Sequence, residues 1–132
     1  MLLKISKFLE KLSFKLRSTA LYFELKHYIK NGKNYIKPVY IYTRGIGKTY
    51  NLLKLAHKYK CPIIVSTKGM EKYIMRLNRD HFKSPVEIIV ASNNCRGKRL
   101  GLALIEEGID NRLIREVIKP MCKQIIGYEF WQ

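Results

Sequence analysis

Apolar residues in the first quarter of the chain repeat every three or four positions. This spacing over residues 2 to about 30 predicts a long amphipathic helix. Its predicted apolar stripe consists of Ile5, Leu9, Leu12, Leu16 and Phe23. Lysines fall on another stripe, namely Lys4, Lys7, Lys11 and Lys15. Asn31 and Gly32 predict the end of the helix, because glycine readily adopts the left-handed conformation of a C-terminal cap.

The rest of the chain alternates short apolar runs with helical spacing. The runs at 39–42, 63–66, 86–91 and 100–107 predict strands. Helices are predicted at 51–59, around 70–77 and from Asp110 to Pro120, where the proline is expected to end the helix. The tail at 121–132 is predicted to be a last strand or an aromatic flap. This alternation predicts a three-layer α/β domain with a mainly parallel sheet. We divide the chain into a basic amphipathic helical segment at 1–37 and an α/β domain at 38–132, together one structural unit.

A turn containing two glycines follows the first predicted strand, with the sequence Thr-Arg-Gly-Ile-Gly-Lys-Thr-Tyr at 43–50. In a phosphate-binding loop, backbone N–H groups surround an anion, a lysine reaches the outer phosphates, and the next hydroxyl holds Mg²⁺. The following helix directs its positive N-terminal end at the same anion. The predicted nucleotide-binding residues are Thr43, Arg44, Gly45, Ile46, Gly47, Lys48, Thr49 and Tyr50. The full pattern G-x-x-x-x-G-K-[ST] has its first glycine at position 42, where this chain has Tyr42. The alternative is an ordinary glycine-rich turn between a strand and a helix.

Two carboxylates, Glu106 and Glu107, end the fourth apolar run. Ligands of parallel sheets bind at the carboxyl ends of the strands, so this pair and the predicted loop are expected to meet in one crevice. With ATP and Mg²⁺ as cofactors, Lys48 would neutralise phosphate oxygens, and Thr49 and Glu106 would hold the metal. Glu107 would orient or deprotonate the attacking water. Arg44 would either stabilise transition-state charge or pair with Glu107. The alternative is an exposed strand end with solvated charges.

Composition points to a polyanionic partner. The 132 residues are enough for one domain, and 26 basic against 10 acidic side chains give a net charge of +16. Residues 1–37 alone carry nine basic and two acidic residues. The expected partner is nucleic acid, with an acidic membrane surface as a weaker possibility and a solvated lysine-rich surface as the simplest explanation. A homo-oligomer is also possible.

The three cysteines, Cys61, Cys95 and Cys122, fit no zinc-ligand spacing. No apolar run reaches the length of a membrane span or of a signal-peptide core. We therefore expect a soluble cytoplasmic protein.

Three segments resemble the ATPase core of phage terminase large subunits and related phage P-loop ATPases: the loop at 43–49, the turn at 95–99 and the run at 102–108. The resemblance spans roughly residues 40 to 120. It implies a P-loop NTPase-like fold, a catalytic role for Arg44, and a turn with Arg96 and Gly97 before the acidic strand. It also implies Mg²⁺ binding by Glu106, where the family has Asp, and catalysis by Glu107. A phage origin would place the protein in the host-cell cytoplasm, in a packaging or replication process.

Four functions are compatible with the sequence. The main prediction is a small Mg²⁺-dependent ATPase that contacts nucleic acid. The runner-up is a degenerate nucleotide-binding or nucleic-acid-binding accessory module without significant turnover, which Tyr42 and Glu106 favour. A nucleotide kinase would need lid arginines, for which the candidates are Arg76, Arg79, Arg96 and Arg99. A membrane-surface protein would be anchored by residues 2–30. The family's coupling motif and nuclease domain have no counterpart in these residues, so we expect a stand-alone ATPase or an accessory rather than a complete packaging motor.

Overall fold

The computed structural model describes residues 2–39, 47–92 and 98–130. Five parallel strands form one sheet in the order β1-β5-β4-β2-β3. The strands are β1 (Tyr35–Val39), β2 (Ile63–Val65), β3 (Ile88–Val90), β4 (Leu100–Ile105) and β5 (Cys122–Phe130). The main helices are α1 (Leu2–Lys30), α2 (Lys48–Tyr59) and α3 (Lys68–His81). A further helical segment at 111–121 consists of α4 (Asn111–Leu113), a π-helical stretch (Ile114–Ile118) and α5 (Lys119–Met121).

Both faces of the sheet are buried, which explains why β2, β3 and β4 are continuous apolar runs. Ile63 and Val65 belong to the core cluster under α1, α2 and α3, whereas Ile64 belongs to the cluster under the 111–121 segment. Side chains alternate between the two faces of a strand, so helices lie on both sides of the sheet. The predicted α/β architecture with a parallel sheet and a long N-terminal helix is therefore confirmed. Among the described residues, no helix combines the length and the apolar character that crossing a membrane requires.

The first strand begins earlier than predicted. The sequence placed it at 39–42, but β1 starts at Tyr35 and includes Pro38; positions 40–42 lie outside the described residues. A proline cannot donate a hydrogen bond to a neighbouring strand. It is accommodated here because β1 lies at the edge of the sheet and pairs only with β5.

The last strand lies inside the sheet. Of the two predicted alternatives for the tail, a strand is correct, and β5 pairs with β1 on one side and β4 on the other. Gly127 sits opposite Ile36 and Ile105. A Cβ atom at Gly127 would overlap the carbonyl oxygen of Ile105, so the close approach of these strands requires glycine.

Helix α1 ends where the sequence predicts. Gly32 adopts a left-handed conformation with φ of 67°, and the amides of Gly32 and Lys33 donate to the carbonyls of Ile29 and Tyr28. This is a Schellman cap. The helix packs on the sheet through Leu21, Leu25 and Ile29, whereas the predicted apolar stripe is exposed. Helical periodicity identifies an apolar stripe but does not identify its partner, and α1 has two such stripes.

The 111–121 segment begins as predicted, because the Asp110 carboxylate accepts a hydrogen bond of 2.8 Å from the amide of Arg112. Its predicted end at Pro120 is one residue early, since the segment continues to Met121. Pro120 lies in the first turn of α5, after the π-helical stretch. In a first helical turn the missing N–H is tolerated.

Candidate functional site

The predicted phosphate loop meets the described structure at Gly47. Four predicted site residues, Thr43, Arg44, Gly45 and Ile46, lie outside the described residues, as do Cys95, Arg96 and Gly97. Gly47 precedes α2 in a left-handed conformation with φ of 76°. Its carbonyl oxygen accepts a hydrogen bond of 2.9 Å from the amide of Asn51, which closes the first turn of the helix. The next two residues, Lys48 and Thr49, therefore stand at the positive end of α2.

Helix α1 packs directly against this turn. A Cβ atom added at Gly47 would lie 2.7 Å from Ser18 Oγ and 3.6 Å from Phe14 Cζ. The side-chain amide of Asn51 donates to the carbonyl oxygen of Ser18 at 2.9 Å. Gly47 is thus required for its backbone conformation and also for the space that α1 occupies.

Lys48 forms an ion pair across the site. Its Nζ atom lies 2.9 Å from Glu107 Oε2. The lysine is only 9% exposed, and the glutamate side chain is 33% exposed. Lys48 comes from the N-terminus of α2, and Glu107 stands two residues beyond the end of β4. The helix N-terminus and the strand end therefore meet, as expected for the crevice of a parallel sheet.

The neighbouring carboxylate, Glu106, has a different environment. It is 4% exposed, accepts a hydrogen bond of 3.0 Å from the Gly108 amide, and lies 3.4 Å from the Ser66 hydroxyl. Burial raises the pKa of Glu106, and the negative charge of Glu107 adds to that effect. The hydrogen bonds from Gly108 and Ser66 lower the pKa and offset part of the effect of burial. Adjacent carboxylates with unlike surroundings are suited to different chemical roles.

One cleft brings together several of the predicted residues. Lys48, Thr49, Tyr50 and Glu107 line it with Gly47, and Phe14 and Tyr73 also contribute to the wall. Glu106 points instead toward Ser66 and Gly108. Three of the four described residues with predicted catalytic or metal roles thus share the cleft, and the fourth lies beside it. Their roles in catalysis and metal binding remain predictions.

Sequence reasoning missed three residues that support this site. The Tyr128 hydroxyl donates to the carbonyl oxygen of Lys48 at 3.2 Å and so connects β5 to the first turn of α2. Ser66 contacts Glu106, and Ser18 contacts the turn at Gly47. Ser66 directly follows β2, so the rule that ligands meet at strand ends would have identified it. Tyr128 and Ser18 carry no comparable signal, because their contacts depend on strand order and helix packing.

The described residues contain no group of three or more histidine, cysteine or acidic side chains that could hold a metal ion. Mg²⁺ in phosphate-transfer sites is held differently, by one or two protein oxygens together with substrate phosphates and water. The Thr49 hydroxyl and the Glu106 carboxylate have the oxygen chemistry for such a site.

Comparison with protein-family models, with curated proteins and with solved structures gives no match for this chain. The case for function therefore depends on the geometry of the site.

Proposed function

We propose that this protein is a small P-loop ATPase that binds Mg²⁺-ATP at the N-terminus of α2 and acts on nucleic acid. The observation that carries the proposal is the ion pair between Lys48 and Glu107, which joins a helix N-terminus to the carboxyl end of a parallel strand. The resemblance to phage P-loop ATPases extends the proposal to a packaging or replication process.

The residues at the start of α2 suit a polyphosphate. The Lys48 ammonium and the first amides of the helix present positive charge to the cleft. Thr49 would hold Mg²⁺ directly, and Glu106, which lies beside the cleft, would hold it through water. When bound, the ion would neutralise charge that develops on the phosphate oxygens. Tyr128 fixes the carbonyl of Lys48, so the backbone that carries the lysine is held in place before a ligand arrives.

The ion pair suggests how the two charged side chains would respond to the ligand. The phosphates would compete with Glu107 for the Lys48 ammonium, because charge-assisted hydrogen bonds form with either anion. Once separated from Lys48, the Glu107 carboxylate would accept a hydrogen bond from water and orient it for attack. Glu107 is partly exposed and lines the cleft, which gives water access to it.

Helix α3 offers a surface for nucleic acid next to the cleft. Lys72, Arg76 and Arg79 are exposed and follow one another at four and three residues, so they share one face of α3. The same helix contributes Tyr73 to the cleft. Basic side chains on one helix face can contact successive phosphates without reading sequence.

The first test is calorimetric titration of Mg²⁺-ATP into wild type, Lys48→Ala and Lys58→Ala. Lys58 is an exposed lysine on the same helix, so its substitution removes the same charge away from the cleft. We expect Lys48→Ala to weaken binding at least about tenfold, because it removes a charge-assisted contact. Lys58→Ala is expected to bind like wild type. Equal affinities for all three proteins, or no binding by wild type, would refute the proposal.

A second measurement separates turnover from binding alone. The runner-up function is a nucleotide-binding module without significant turnover, and it applies if Glu107 stays paired with Lys48 when ATP is bound. We expect wild type to release phosphate from ATP, faster with DNA present, and Glu107→Gln to retain ATP binding while losing release. Binding by both proteins with release by neither would identify the accessory module.

A further inference from the structure

Helix α1 carries two apolar stripes on opposite sides. One stripe, Leu21, Leu25 and Ile29, is buried against the domain. The other includes Leu9, Leu12 and Leu16, all exposed. Leu16 and Leu25 are nine residues apart, which is about two and a half turns at 3.6 residues per turn. They therefore point in opposite directions, and the exposed stripe faces away from the domain.

The exposed stripe belongs to the N-terminal half of α1, which contacts the domain through Phe14 at the wall of the cleft. Every residue from Leu2 to Arg17 is exposed. The large apolar residues of the stripe in this segment are 43% to 84% exposed, namely Leu2, Ile5, Leu9, Leu12 and Leu16. Single exposed apolar residues are ordinary, but a contiguous stripe of this length indicates a contact surface.

Positive charge lies on the other side of the same segment, together with the exposed side chains of Leu3 and Phe14. Residues 2–17 contain five basic residues and one acidic residue, a net charge of +4. At 3.6 residues per turn, Lys4, Lys7, Lys11 and Lys15 lie on the side of Leu25, away from the apolar stripe. Leucine and isoleucine on one side with lysine on the other is typical of a helix that lies in a membrane interface.

We propose that residues 2–17 bind the surface of an anionic lipid bilayer. The apolar stripe would enter the boundary between headgroups and acyl chains, and the four lysines would lie among the acidic headgroups. Because the stripe faces away from the stripe that packs on the sheet, the domain would stay on the water side. This inference does not depend on nucleotide binding.

Charge favours a bilayer over a second copy of the chain as the occupant. The spacing of Leu2, Ile5, Leu9, Leu12 and Leu16 also suits helix pairing. However, two copies would each bring a net charge of +16, and like charges repel. Of the positions that flank this seam, Ser6, Phe8 and Ser13 carry no charge and Lys15 is basic, so none offers an acidic partner for the bridges typical of paired helices. An anionic surface instead attracts every lysine of the segment.

The test is flotation of the full chain with vesicles of phosphatidylcholine alone or mixed with phosphatidylserine. One variant is Leu9→Ser/Leu12→Ser/Leu16→Ser, which removes the apolar stripe. A second is Lys4→Gln/Lys7→Gln/Lys11→Gln/Lys15→Gln. Its matched control, Lys68→Gln/Lys83→Gln/Lys119→Gln/Lys123→Gln, removes four exposed lysines outside α1. Circular dichroism and light scattering of every variant report folding and oligomeric state.

We expect wild type to float with the mixed vesicles and to bind phosphatidylcholine alone at least about tenfold more weakly. The leucine variant and the α1 lysine variant should each lose at least about tenfold in binding to the mixed vesicles, while the control lysine variant loses less. Should the leucine variant not fold, the two lysine variants decide the matter. Equal loss in both lysine variants would overturn the proposal. Failure of wild type to float with the mixed vesicles would also overturn the proposal, even if light scattering showed that the leucine stripe mediates self-association.

Discussion

Gly47 combines two constraints that can be measured separately. Its φ of 76° is unfavourable for any residue with a Cβ atom, and Ser18 Oγ fills the space such an atom needs. Gly32 has a similar φ of 67°, but no atom of the described residues lies within 4 Å of the corresponding Cβ position. We expect Gly32→Ala to lower the free energy of unfolding by about 1 kcal/mol, and Gly47→Ala to lower it by about 2 to 3 kcal/mol.

Urea denaturation of both alanine variants, and of Gly47→Ala/Ser18→Ala, tests this assignment. In the double variant, removing the Ser18 hydroxyl should restore the stability that Gly47→Ala loses in excess of Gly32→Ala. The loss due to backbone strain, which both single variants share, should remain. If the two single variants are equally stable, α1 does not constrain the turn at Gly47.

Glu106 predicts an unusual dependence of stability on pH. Burial raises its pKa in the folded protein, whereas in the unfolded chain a glutamate titrates at about 4.3. Between these two pKa values the folded protein holds the extra proton, so the free energy of unfolding falls as pH rises through that window. The stability that protonated Glu106 contributes is fully present below the unfolded pKa and is lost above the folded pKa.

Substitution of Glu106 by glutamine should remove this dependence. We expect Glu106→Gln to gain stability relative to wild type between about pH 4 and about pH 8, measured by urea denaturation at both ends of this range. Glu87→Gln, at an exposed position, controls for the loss of one negative charge from a basic protein. A stability difference from wild type that does not change with pH would contradict the assignment.

The sequence predicted part of the cleft at the N-terminus of α2. Lys48 and Glu107 were expected in one crevice because a helix that follows a strand and the end of a parallel strand reach the same edge of the sheet. Their ion pair was not expected, since the sequence offered Arg44 as the partner of Glu107. The two glutamates also divide between different surroundings, because Glu106 contacts Ser66 across the neighbouring strand end and Glu107 reaches α2.

At the scale of elements, β5 is the strand on which the sheet depends most. It separates β1 from β4, and its Gly127 leaves no room for a Cβ atom beside Ile105. We expect Gly127→Ala to destabilise the protein by about 3 kcal/mol or more, because one of the two strands must move. Within the part of the chain that the structure describes, Gly101 on β4 has no atom within 4 Å of its Cβ position, so Gly101→Ala should be neutral or slightly stabilising. Thermal denaturation compares the two; similar melting temperatures would contradict the close approach of β4 and β5.

The position of β5 also marks what local sequence patterns cannot predict. Short apolar runs identified β2, β3 and β4, because burial on both faces leaves a local signature such as those at 63–65 and 100–105. Strand order, by contrast, depends on contacts between residues far apart in the chain, such as Ile126 beside Tyr35. The same reason explains why the periodicity of α1 predicted a helix but not the stripe that packs on the sheet.

At the scale of the whole molecule, the net charge of +16 indicates a particular partner only when the basic side chains are assigned to particular surfaces. We propose separate roles for two basic regions, the exposed segment 2–17 for lipid and the exposed face of α3 for nucleic acid. Lys72, Arg76 and Arg79 on α3 lie on the helix that lines the cleft. Nucleic acid bound there would lie on the helix that contributes Tyr73 to the wall of the cleft.

This placement predicts how DNA affinity responds to salt. DNA affinity falls linearly with salt concentration when both are plotted as logarithms, and each basic side chain that binds a phosphate adds to the slope. Removing one such side chain reduces the slope by about 0.9 for duplex DNA and by about 0.7 for single strands. We expect Lys72→Gln/Arg76→Gln/Arg79→Gln to reduce the slope by about 2 to 3, measured by fluorescence anisotropy over a salt series. The control Lys58→Gln/Lys119→Gln/Lys123→Gln removes the same charge from exposed positions outside α3 and should change the slope by less than about 1. Equal changes in both variants would mean that the positive charge acts diffusely and that α3 is not a specific nucleic-acid surface.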